Sequence, residues 1–418
     1  MQGRFPVGQQ RGGQGALTPP CSKSYAQRAL AASLLADGES TLHNIEFCDD
    51  TRSALHCIRT LGAEVRQTGA DTLSIRGGLA PRANRLQVGE SGLAARLFTP
   101  IAALGREPML IEGTGSLLRR PMHPMTEALR QLGAYARDNE GRLPVEVRGP
   151  LEGGELEIDG SLSSQFVTGL LLALPLAHRD TTLHVRHAVS KPYLAMTVST
   201  AVRFGVEISH NDLEEFFIEG GQRYRPAEFA IEGDWSAAAM MLAIGATAGE
   251  VRVETISSLS QQADTAVLTA LVRSGAGLID ETKAVTAAQR PLRAFEFDAT
   301  HCPDLFPALA VLASAAEGVS VIRGTSRLEH KECHRAEALR EEYGRLGIEI
   351  DIDTEDIMRI RGGALHGGRV SSHGDHRIAM SLAAAALRAD GPVTIEGAEC
   401  VSKSYPLFFE ELKRLRVR

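Results

Sequence analysis

Aromatic side chains are scarce in this chain of 418 residues: they make up 5% of it, with a single tryptophan. Proteins that bind single-stranded nucleic acid stack bases on aromatic side chains, so this shortage argues against that class. Positive charge is not in excess either, because 45 Lys and Arg face 52 Asp and Glu, for a formal net charge of −7. We therefore expect neither nucleic acid nor an acidic membrane as a partner.

Paired cysteines and long apolar runs are also lacking. The six cysteines are scattered without a C-x-x-C pair, which predicts reduced thiols and neither a metal site nor a disulfide framework. The longest near-apolar run, residues 166–177, is far shorter than the roughly 20 residues that span a bilayer. Residues 1–14 lack the apolar core of a signal peptide. These absences predict a cytoplasmic protein.

An internal repeat organises the chain. Five helix-like segments end in a glycine followed by a strand-like step, and about 70 residues separate each glycine from the next. Glycine suits the left-handed position just past a helix end, so each copy has a physical reason. Residues 408–418 resemble the same helix cut short, which brings the count to six units. The five glycines are Gly62, Gly133, Gly205, Gly275 and Gly347.

A second helix in each unit is Ala-rich and apolar nearly all round, which is typical of buried helices. The six segments are 26–36, 91–104, 166–177, 237–248, 305–316 and 378–387. Each unit is therefore predicted to contain a strand, a buried helix, a second strand, an amphipathic helix and two further strands, in that order. Three consecutive units would bury three such helices together, which predicts an α/β protein of two similar domains. The alternative is one doubly wound sheet, but the chain has neither G-x-G-x-x-G nor a P-loop motif.

Positive charges lie at the starts of several buried helices. Ser, Asp and Gly are ordinary N-cap residues there. A cation in a helix's first turns instead opposes the macrodipole, at roughly 0.3–1 kcal/mol each. Because helix N-termini bind anions, these cations predict a small polyanionic ligand. They are Lys23, Arg28, Arg96 and Arg377, with Arg120, Lys331, Arg335 and Lys403 on loops.

Ordered motifs extend this pattern from about residue 17 to 415. They are SKS-x-x-x-R from Ser22, G-x-x-G-x-x-x-R from Gly89, DGSLSSQF around Ser163, VSKPY around Ser190, EGDWS, KE-x-x-R from Lys331, GDHR and SKSYP. The chain resembles the enolpyruvyl transferases, and most closely the 5-enolpyruvylshikimate-3-phosphate synthase family. The resemblance implies two domains of three βαβαββ units each, with buried parallel helices (an inside-out α/β barrel), joined by a two-strand hinge and closing on substrate. Residues 1–16 and 232–418 would form one domain, its first strand coming from the N-terminus, and 17–231 the inserted domain.

The same resemblance implies transfer of the enolpyruvyl group of phosphoenolpyruvate to the 5-hydroxyl of shikimate 3-phosphate. This addition–elimination releases phosphate, belongs to aromatic amino-acid biosynthesis and needs no cofactor or metal. A monomer acting on small molecules is expected. The alternatives are a UDP-N-acetylglucosamine enolpyruvyl transferase, of the same fold, and a non-catalytic descendant that binds a phosphorylated metabolite.

Site residues carry over motif by motif. The resemblance implies catalytic roles for Lys23, Asp304, Glu332 and Lys403. It implies that shikimate 3-phosphate binds Lys23, Ser24, Arg28, Ser163, Ser164, Gln165, Ser190, Tyr193, Asp304, Arg327 and Lys331. For phosphoenolpyruvate, it implies Lys23, Gly92, Arg120, Gln165, Arg335, Arg377 and Lys403.

Six positions depart from the family pattern. Glu90, Leu93 and Leu97 stand where the family has Asn, Thr and Pro, and Arg327 replaces a substrate-binding Asn. Cys333 and His334 stand where the family has Thr and Asp. Arg327 either compensates the charge of Glu90 or contacts a substrate phosphate directly. These changes leave sensitivity to glyphosate, which in this family occupies the phosphoenolpyruvate site, as an open question.

Overall fold

The computed structural model describes residues 4–7 and 13–415. Parts of the predicted domain 1–16 plus 232–418, namely residues 1–3, 8–12 and 416–418, lie outside this description. The described residues form twelve α-helices: α1 Lys23–Leu35, α2 Asp49–Thr60, α3 Gly92–Ala102, α4 His123–Gln131, α5 Ser164–Ala173, α6 Lys191–Arg203, α7 Trp235–Ala248, α8 Val267–Ser274, α9 Phe306–Ala315, α10 Arg335–Arg345, α11 His376–Ala386 and α12 Phe408–Arg414.

Twenty-three strands accompany the helices in the described ranges. They are β1 Arg4–Val7, β2 Gly13–Leu17, β3 Glu39–His43, β4 Glu64–Gln67, β5 Leu73–Arg76, β6 Arg85–Gln87, β7 Met109–Glu112, β8 Tyr135–Asn139, β9 Arg142–Arg148, β10 Gly154–Asp159, β11 Thr181–Arg186, β12 Ser209–Asn211, β13 Glu215–Ile218, β14 Glu228–Ala230, β15 Gly249–Glu254, β16 Gly277–Glu281, β17 Ala284–Ala288, β18 Glu296–Asp298, β19 Val319–Arg323, β20 Ile350–Ile352, β21 Ile357–Arg361, β22 Gly368–Ser371 and β23 Val393–Glu396.

Each repeat has its own small sheet, so the predicted α/β repeat fold is confirmed and the alternative of one doubly wound sheet is wrong. Between residues 4 and 415 there are six sheets, five with four strands and one with three. The sheet of order β6-β7-β9-β8 is typical: β6 and β7 are parallel, and β9 pairs antiparallel with both β7 and β8. The intervening helices α3 and α4 complete the predicted βαβαββ order.

The chain divides into two compact units, Cys21–Glu232 and Met1–Pro20 with Gly233–Arg418. In the first, β14 from the unit's end pairs in parallel with β3 near its start. In the second, β2 pairs in parallel with β15, and β1 pairs antiparallel with β23. The N-terminal segment thus supplies two strands to its unit, where the sequence predicted one. The domain borders after residues 16 and 231 stay a prediction.

The Ala-rich helices form the centre of each unit, as predicted. Nearly every residue of α1, α3 and α5 is buried in one unit, and of α7, α9 and α11 in the other. Small side chains let such helices approach closely over their whole circumference. Five of the six begin at a side-chain N-cap that accepts a backbone N–H: Ser22, Ser91, Ser163, Asp234 and Asp375. Helix α9 is the exception, because no side chain caps it.

The repeat glycines lie where the sequence placed them, just past the ends of α2, α4, α6, α8 and α10. All five have positive φ: 125° at Gly62, 85° at Gly133, 82° at Gly205, 84° at Gly275 and 93° at Gly347. A side chain in this region of φ/ψ space is strained, which explains the residue type. None of the described helices combines the length and the apolar character that crossing a membrane requires.

Two glycine substitutions separate backbone strain from crowding. A Cβ at Gly275 meets only the carbonyl oxygen of Pro291, at 3.8 Å, so strain at its positive φ dominates. We expect Gly275→Ala to lower the free energy of unfolding by about 1–2 kcal/mol. Gly344 lies in α10 with open space around it, so Gly344→Ala should raise that free energy by about 0.5–1 kcal/mol. Urea unfolding measures both changes, and effects of the same sign would contradict this account.

Candidate active site

Lys23 opens α1 in the unit Cys21–Glu232. Its Nζ lies 2.9 Å from Oδ2 of Asp50, in the first turn of α2, and both side chains are largely buried. The cation that opposes the dipole of α1 is therefore compensated by a carboxylate rather than exposed to water. Asp50 belongs to none of the sequence motifs described above, and the sequence did not predict its ion pair with Lys23.

Arg28, one turn further along α1, is 1% exposed. It donates to the hydroxyls of Thr197 and Thr168, at 2.9 and 3.2 Å, and to the carbonyls of Ser24 and Tyr193, at 2.8 and 3.1 Å. All these acceptors are uncharged, and burial lowers the pKa of Arg28 to about 10. Arg28 thus connects α1 with α5 and α6, and no carboxylate of the described residues is hydrogen-bonded to it. An anion at this position would stabilise it.

The predicted shikimate-phosphate residues at α5 and α6 lie next to Arg28's partners. Ser163 caps α5 by accepting the N–H of Gln165, at 3.3 Å. Ser164 is 6% exposed, and Ser190, at the start of α6, is buried with φ of 55°. The side-chain oxygen of Gln165 is buried without a hydrogen-bond partner in the described structure. This strained, incompletely satisfied end of two helices has the properties of a binding site.

Gly92 opens α3 against two guanidinium groups. A Cβ on Gly92 would lie 2.3 Å from an Nη of Arg120 and 2.8 Å from one of Arg96, so only glycine leaves both in place. Arg96 donates to the carbonyls of Gly92 and Pro121 and stacks on the Phe166 ring. The Nε of Arg120 is buried without a hydrogen-bond partner among the described residues. Arg120 therefore offers an unsatisfied donor at the start of this helix.

Glu90 lies beside the same helix start and binds Ser116. It accepts the Oγ–H of Ser116 at 3.0 Å and the backbone N–H of that residue at 3.4 Å. A Cβ on Gly115 would collide with the Glu90 carboxylate, so the loop is shaped around this group. Leu93 is 8% exposed and Leu97 fully buried, so both departures from the family pattern are accommodated by the packing around α3.

Asp304 forms a second cluster, in the unit that contains Gly233–Arg418. Its Oδ1 accepts from Lys331 at 3.2 Å and from Arg335 at 2.7 Å, and its Oδ2 accepts from Arg377 at 3.3 Å. Burial alone would raise the pKa of Asp304, but the charges of Arg377, Lys331 and Arg335 outweigh it and hold that pKa well below the usual range. Asp304 is not the N-cap of α9, so capping does not explain why an aspartate lies just before that helix.

Arg335, 1% exposed, connects three carboxylates. Besides Asp304, it donates through Nε to Asp375 at 2.6 Å and through an Nη to Glu332 at 2.7 Å. Burial would lower the pKa of Arg335, but the charges of Asp375, Glu332 and Asp304 raise it well above its usual value. Asp375 also caps α11, so one carboxylate fixes both a helix start and a guanidinium. The sequence placed Asp375 at the helix start but missed this second role.

Glu332 and Lys403 extend the cluster. The Lys403 Nζ lies 3.7 Å from the Glu332 Oε1, and both side chains are 9% exposed. Lys331 is partly buried, and desolvation lowers its pKa despite the neighbouring charge of Asp304. Arg327 likewise has its pKa lowered by burial, against the opposing charges of Asp304 and Asp356. The cluster thus gathers every predicted residue of this unit within reach of Asp304 or Glu332.

The loop before α11 is anchored by a buried glutamate on α10. Glu342, which is fully buried, accepts the N–H of Ser371 at 2.9 Å and contacts the His373 Nε2 at 2.7 Å. The two loop residues that Glu342 contacts, Ser371 and His373, precede Asp375 and Arg377 by only a few residues. Helix α10 therefore holds the loop through Glu342 and the helix start through Arg335.

Comparisons with known proteins identify the family to which the chain is similar. A family model described as EPSP synthase (3-phosphoshikimate 1-carboxyvinyltransferase) matches residues 9–412. A protein named 3-phosphoshikimate 1-carboxyvinyltransferase from Thermococcus kodakarensis is 40% identical over 402 residues, covering 96% of this chain and 97% of that protein. One of the same name from Aeropyrum pernix is 38% identical over 406 residues, covering 97% and 94%.

Solved structures are similar over the whole chain. An EPSP synthase from Acinetobacter baumannii superposes with a TM-score of 0.85 at 26% sequence identity, covering 100% of this chain and 99% of the other. The enolpyruvyl transferase NikO from Streptomyces tendae shares the fold with a TM-score of 0.79 at 20% identity, covering 99% and 96%.

The position of Asp304 generates a stability prediction. Asp304→Asn leaves three cations around a neutral amide, so we expect the free energy of unfolding at pH 7 to fall by about 2 kcal/mol, less than the 3–5 kcal/mol of a fully buried pair. The folded-state pKa of Asp304 lies below its unfolded value, so this contribution is present above about pH 4 and disappears as the pH falls further. Urea unfolding at pH 7 and pH 3 should show the two proteins converging in acid.

Asp234→Asn is the matched control, because Asp234 caps α7 and Asn caps a helix about as well as Asp. Its effect at pH 7 should stay below about 0.5 kcal/mol. An equally small effect of Asp304→Asn would mean that the three cations do not depend on that carboxylate.

Proposed function

The chain belongs to the EPSP synthase family, and we propose that its two side-chain clusters serve one reaction, the transfer of enolpyruvyl from phosphoenolpyruvate to the 5-hydroxyl of shikimate 3-phosphate. The observation that carries this proposal is Asp304 bound by Lys331, Arg335 and Arg377, with Glu332 on the same arginine. Two carboxylates among cations suit a reaction that moves protons between anionic substrates.

Shikimate 3-phosphate is the ligand of the serine-rich helix ends. Backbone N–H groups and hydroxyls at a helix start bind phosphate, and Arg28 lies beneath them without a bound carboxylate. The binding set is Lys23, Ser24, Arg28, Ser163, Ser164, Gln165, Ser190 and Tyr193, with Asp304, Arg327 and Lys331 from the second cluster. Arg327 supplies a cation where relatives have an amide, next to the charge of Asp304.

Phosphoenolpyruvate is the ligand of the cations that remain. Guanidinium groups bind carboxylate and phosphate with paired N–H donors, and the unsatisfied Nε of Arg120 is one such donor. Gly92 is required because a side chain there would displace Arg120. The full set is Lys23, Gly92, Arg120, Gln165, Arg335, Arg377 and Lys403.

The chemistry needs one proton removed and one delivered. Asp304 accepts the proton of the 5-hydroxyl as its oxygen attacks C2 of phosphoenolpyruvate, and Glu332 delivers a proton to C3. The resulting tetrahedral intermediate returns a C3 proton to the Glu332 carboxylate and expels phosphate, whose charge Lys23 and Lys403 stabilise. Before substrate binds, the pKa of Asp304 is too low for an effective base. Substrate anions that pair with Arg377 and Lys331 withdraw those charges from Asp304 and raise its pKa towards the useful range.

The two compact units are the two domains of this enzyme in our proposal, with borders near residues 16 and 231. Action as a monomer in the cytoplasm remains a prediction from the sequence. A phosphate-release assay tests the proposed function directly: phosphoenolpyruvate with shikimate 3-phosphate should release phosphate, whereas UDP-N-acetylglucosamine as acceptor should not. No release with either acceptor would leave only a binding role.

Glu332→Gln tests proton delivery. The substitution keeps the shape of the side chain but removes its proton, so we expect kcat to fall on the order of 10²–10⁴-fold. Exchange of the C3 protons of phosphoenolpyruvate with deuterated solvent should fall in parallel. Glu337→Gln, whose side chain is about half exposed in the first turn of α10, is the control and should keep normal turnover. A Glu332→Gln enzyme with normal kcat would exclude Glu332 from the chemistry.

Ser164→Ala tests binding without chemistry. Removing a hydroxyl from a phosphate contact costs about 1.5–3 kcal/mol, so the KM for shikimate 3-phosphate should rise roughly 10- to 100-fold while kcat changes little. Ser209→Ala, on the exposed strand β12, is the control and should leave both constants unchanged. Steady-state kinetics measure the split, and a lower kcat at unchanged KM would assign Ser164 to the reaction step instead.

A further inference from the structure

A buried carboxyl lies near the Asp304 cluster and has no part in the steps above. Asp264 belongs to the short turn that precedes α8, and its side chain is almost fully buried. Its Oδ2 accepts the hydroxyl proton of Ser236, in the first turn of α7. Its Oδ1 is buried and has no hydrogen-bond partner in the part of the chain that the structure describes. One oxygen of this carboxyl is therefore left without a donor.

Charged groups on three other elements act electrostatically on Asp264. Arg377, at the start of α11, favours its ionised form, whereas Asp304, before α9, and Asp234, before α7, oppose it. Cys302 also interacts with Asp264, and its thiol pKa is raised well above the usual value by burial and by the charges of Asp264, Asp298 and Asp304, so it adds no charge. Arg377 is thus the cation that compensates Asp264, and it is hydrogen-bonded to Asp304 as well.

The two ionisation states of Asp264 are closely balanced. Burying a charged oxygen without a donor costs more than burying a neutral hydroxyl. Burial accordingly raises the pKa of Asp264 to about 7, against the attraction of Arg377. A small change in the charge of its surroundings therefore decides whether the group carries a proton near neutral pH.

We propose that Asp264 is a positioning residue for Arg377, and that it takes up one proton from solvent when an anionic group of substrate pairs with Arg377. The inference rests on the proposed function, which makes Arg377 a phosphoenolpyruvate ligand. Once the substrate anion neutralises Arg377, Asp264 faces only the like charges of Asp304 and Asp234, and its neutral form is favoured. The protonated carboxyl no longer competes with substrate for the guanidinium.

Asp264→Asn tests the uptake, because the amide has the shape of the protonated acid and is neutral at every pH. We measure kcat/KM for phosphoenolpyruvate from pH 6 to 9, at saturating shikimate 3-phosphate, in both enzymes. The ratio of wild type to variant cancels the titration of the substrate itself. Above about pH 7 the wild type must acquire a proton to bind, so this ratio should fall about tenfold per pH unit, or 100-fold between pH 7 and 9. The ratio of kcat values should change far less.

A second variant tests the same carboxyl by raising its pKa instead of removing its charge. Ser236 donates a hydrogen bond that lowers the pKa of Asp264, so Ser236→Ala should raise that pKa and move the break in the profile to higher pH. Asp280→Asn, on the exposed hairpin strand β16 of the same unit, is the control and should give the wild-type profile.

The outcomes are distinct. A flat ratio for Asp264→Asn, with both enzymes active, overturns the inference and leaves the proposed function intact. So does a variant that folds but is inactive at every pH, because the ionised form would then be needed. If Asp264→Asn fails to fold, an unshifted break in Ser236→Ala overturns the inference. A wild-type enzyme that releases no phosphate from the two substrates overturns the proposed function and this inference with it.

Discussion

A buried guanidinium that binds three carboxylates is the constraint on which one half of the site depends. Arg335 has no access to water, so its charge requires the partners that Asp304, Glu332 and Asp375 supply. These partners come from the turn before α9, from the loop before α10 and from the cap of α11. The ion pairs therefore fix the starts of three helices relative to one another. Two of these carboxylates, Asp304 and Glu332, are the groups proposed to move protons, so the stability of this unit and its chemistry share the same atoms.

The buried cations of the site are satisfied in two different ways. Lys23 and Arg335 bind carboxylates of their own unit, at 2.9 Å to Asp50 and 2.7 Å to Asp304. Within the described ranges, Arg28 donates to hydroxyls and carbonyls and to no carboxylate, so its charge is solvated by neutral dipoles. A substrate anion that binds Lys23 or Arg335 would displace the carboxylate now bound there. The pKa of the released carboxylate would then change. A substrate anion that binds Arg28 would not have to displace a carboxylate of the described residues. Protein carboxylates therefore do not compete with substrate for Arg28.

The sequence predicted the repeat and the buried helices because both are local signals. A glycine such as Gly205 indicates a positive φ at its own position, and an Ala-rich segment indicates a helix that is buried on all sides. The ion pairs left no local signal, since Lys23 and Asp50, or Arg335 and Asp375, lie far apart in the chain and meet only in the folded unit. The position of Asp304 was predicted, but its surroundings were not. The cap-like position before α9 is explained by three cations on its carboxylate, and only the fold brings them there.

Helix α10 transmits this constraint to the residues around it. Arg335 at its first turn holds Asp375, and Glu342 two turns later holds the loop that leads to Asp375 through Ser371 and His373. These attachments connect the loop to α10 at both Ser371 and Asp375. Arg377 follows directly, so its distance from Asp304 is set by α10 although no residue of α10 beyond Arg335 reaches the cluster. The buried Glu342 therefore belongs to the architecture of the site, because it holds the loop that precedes Asp375 and Arg377.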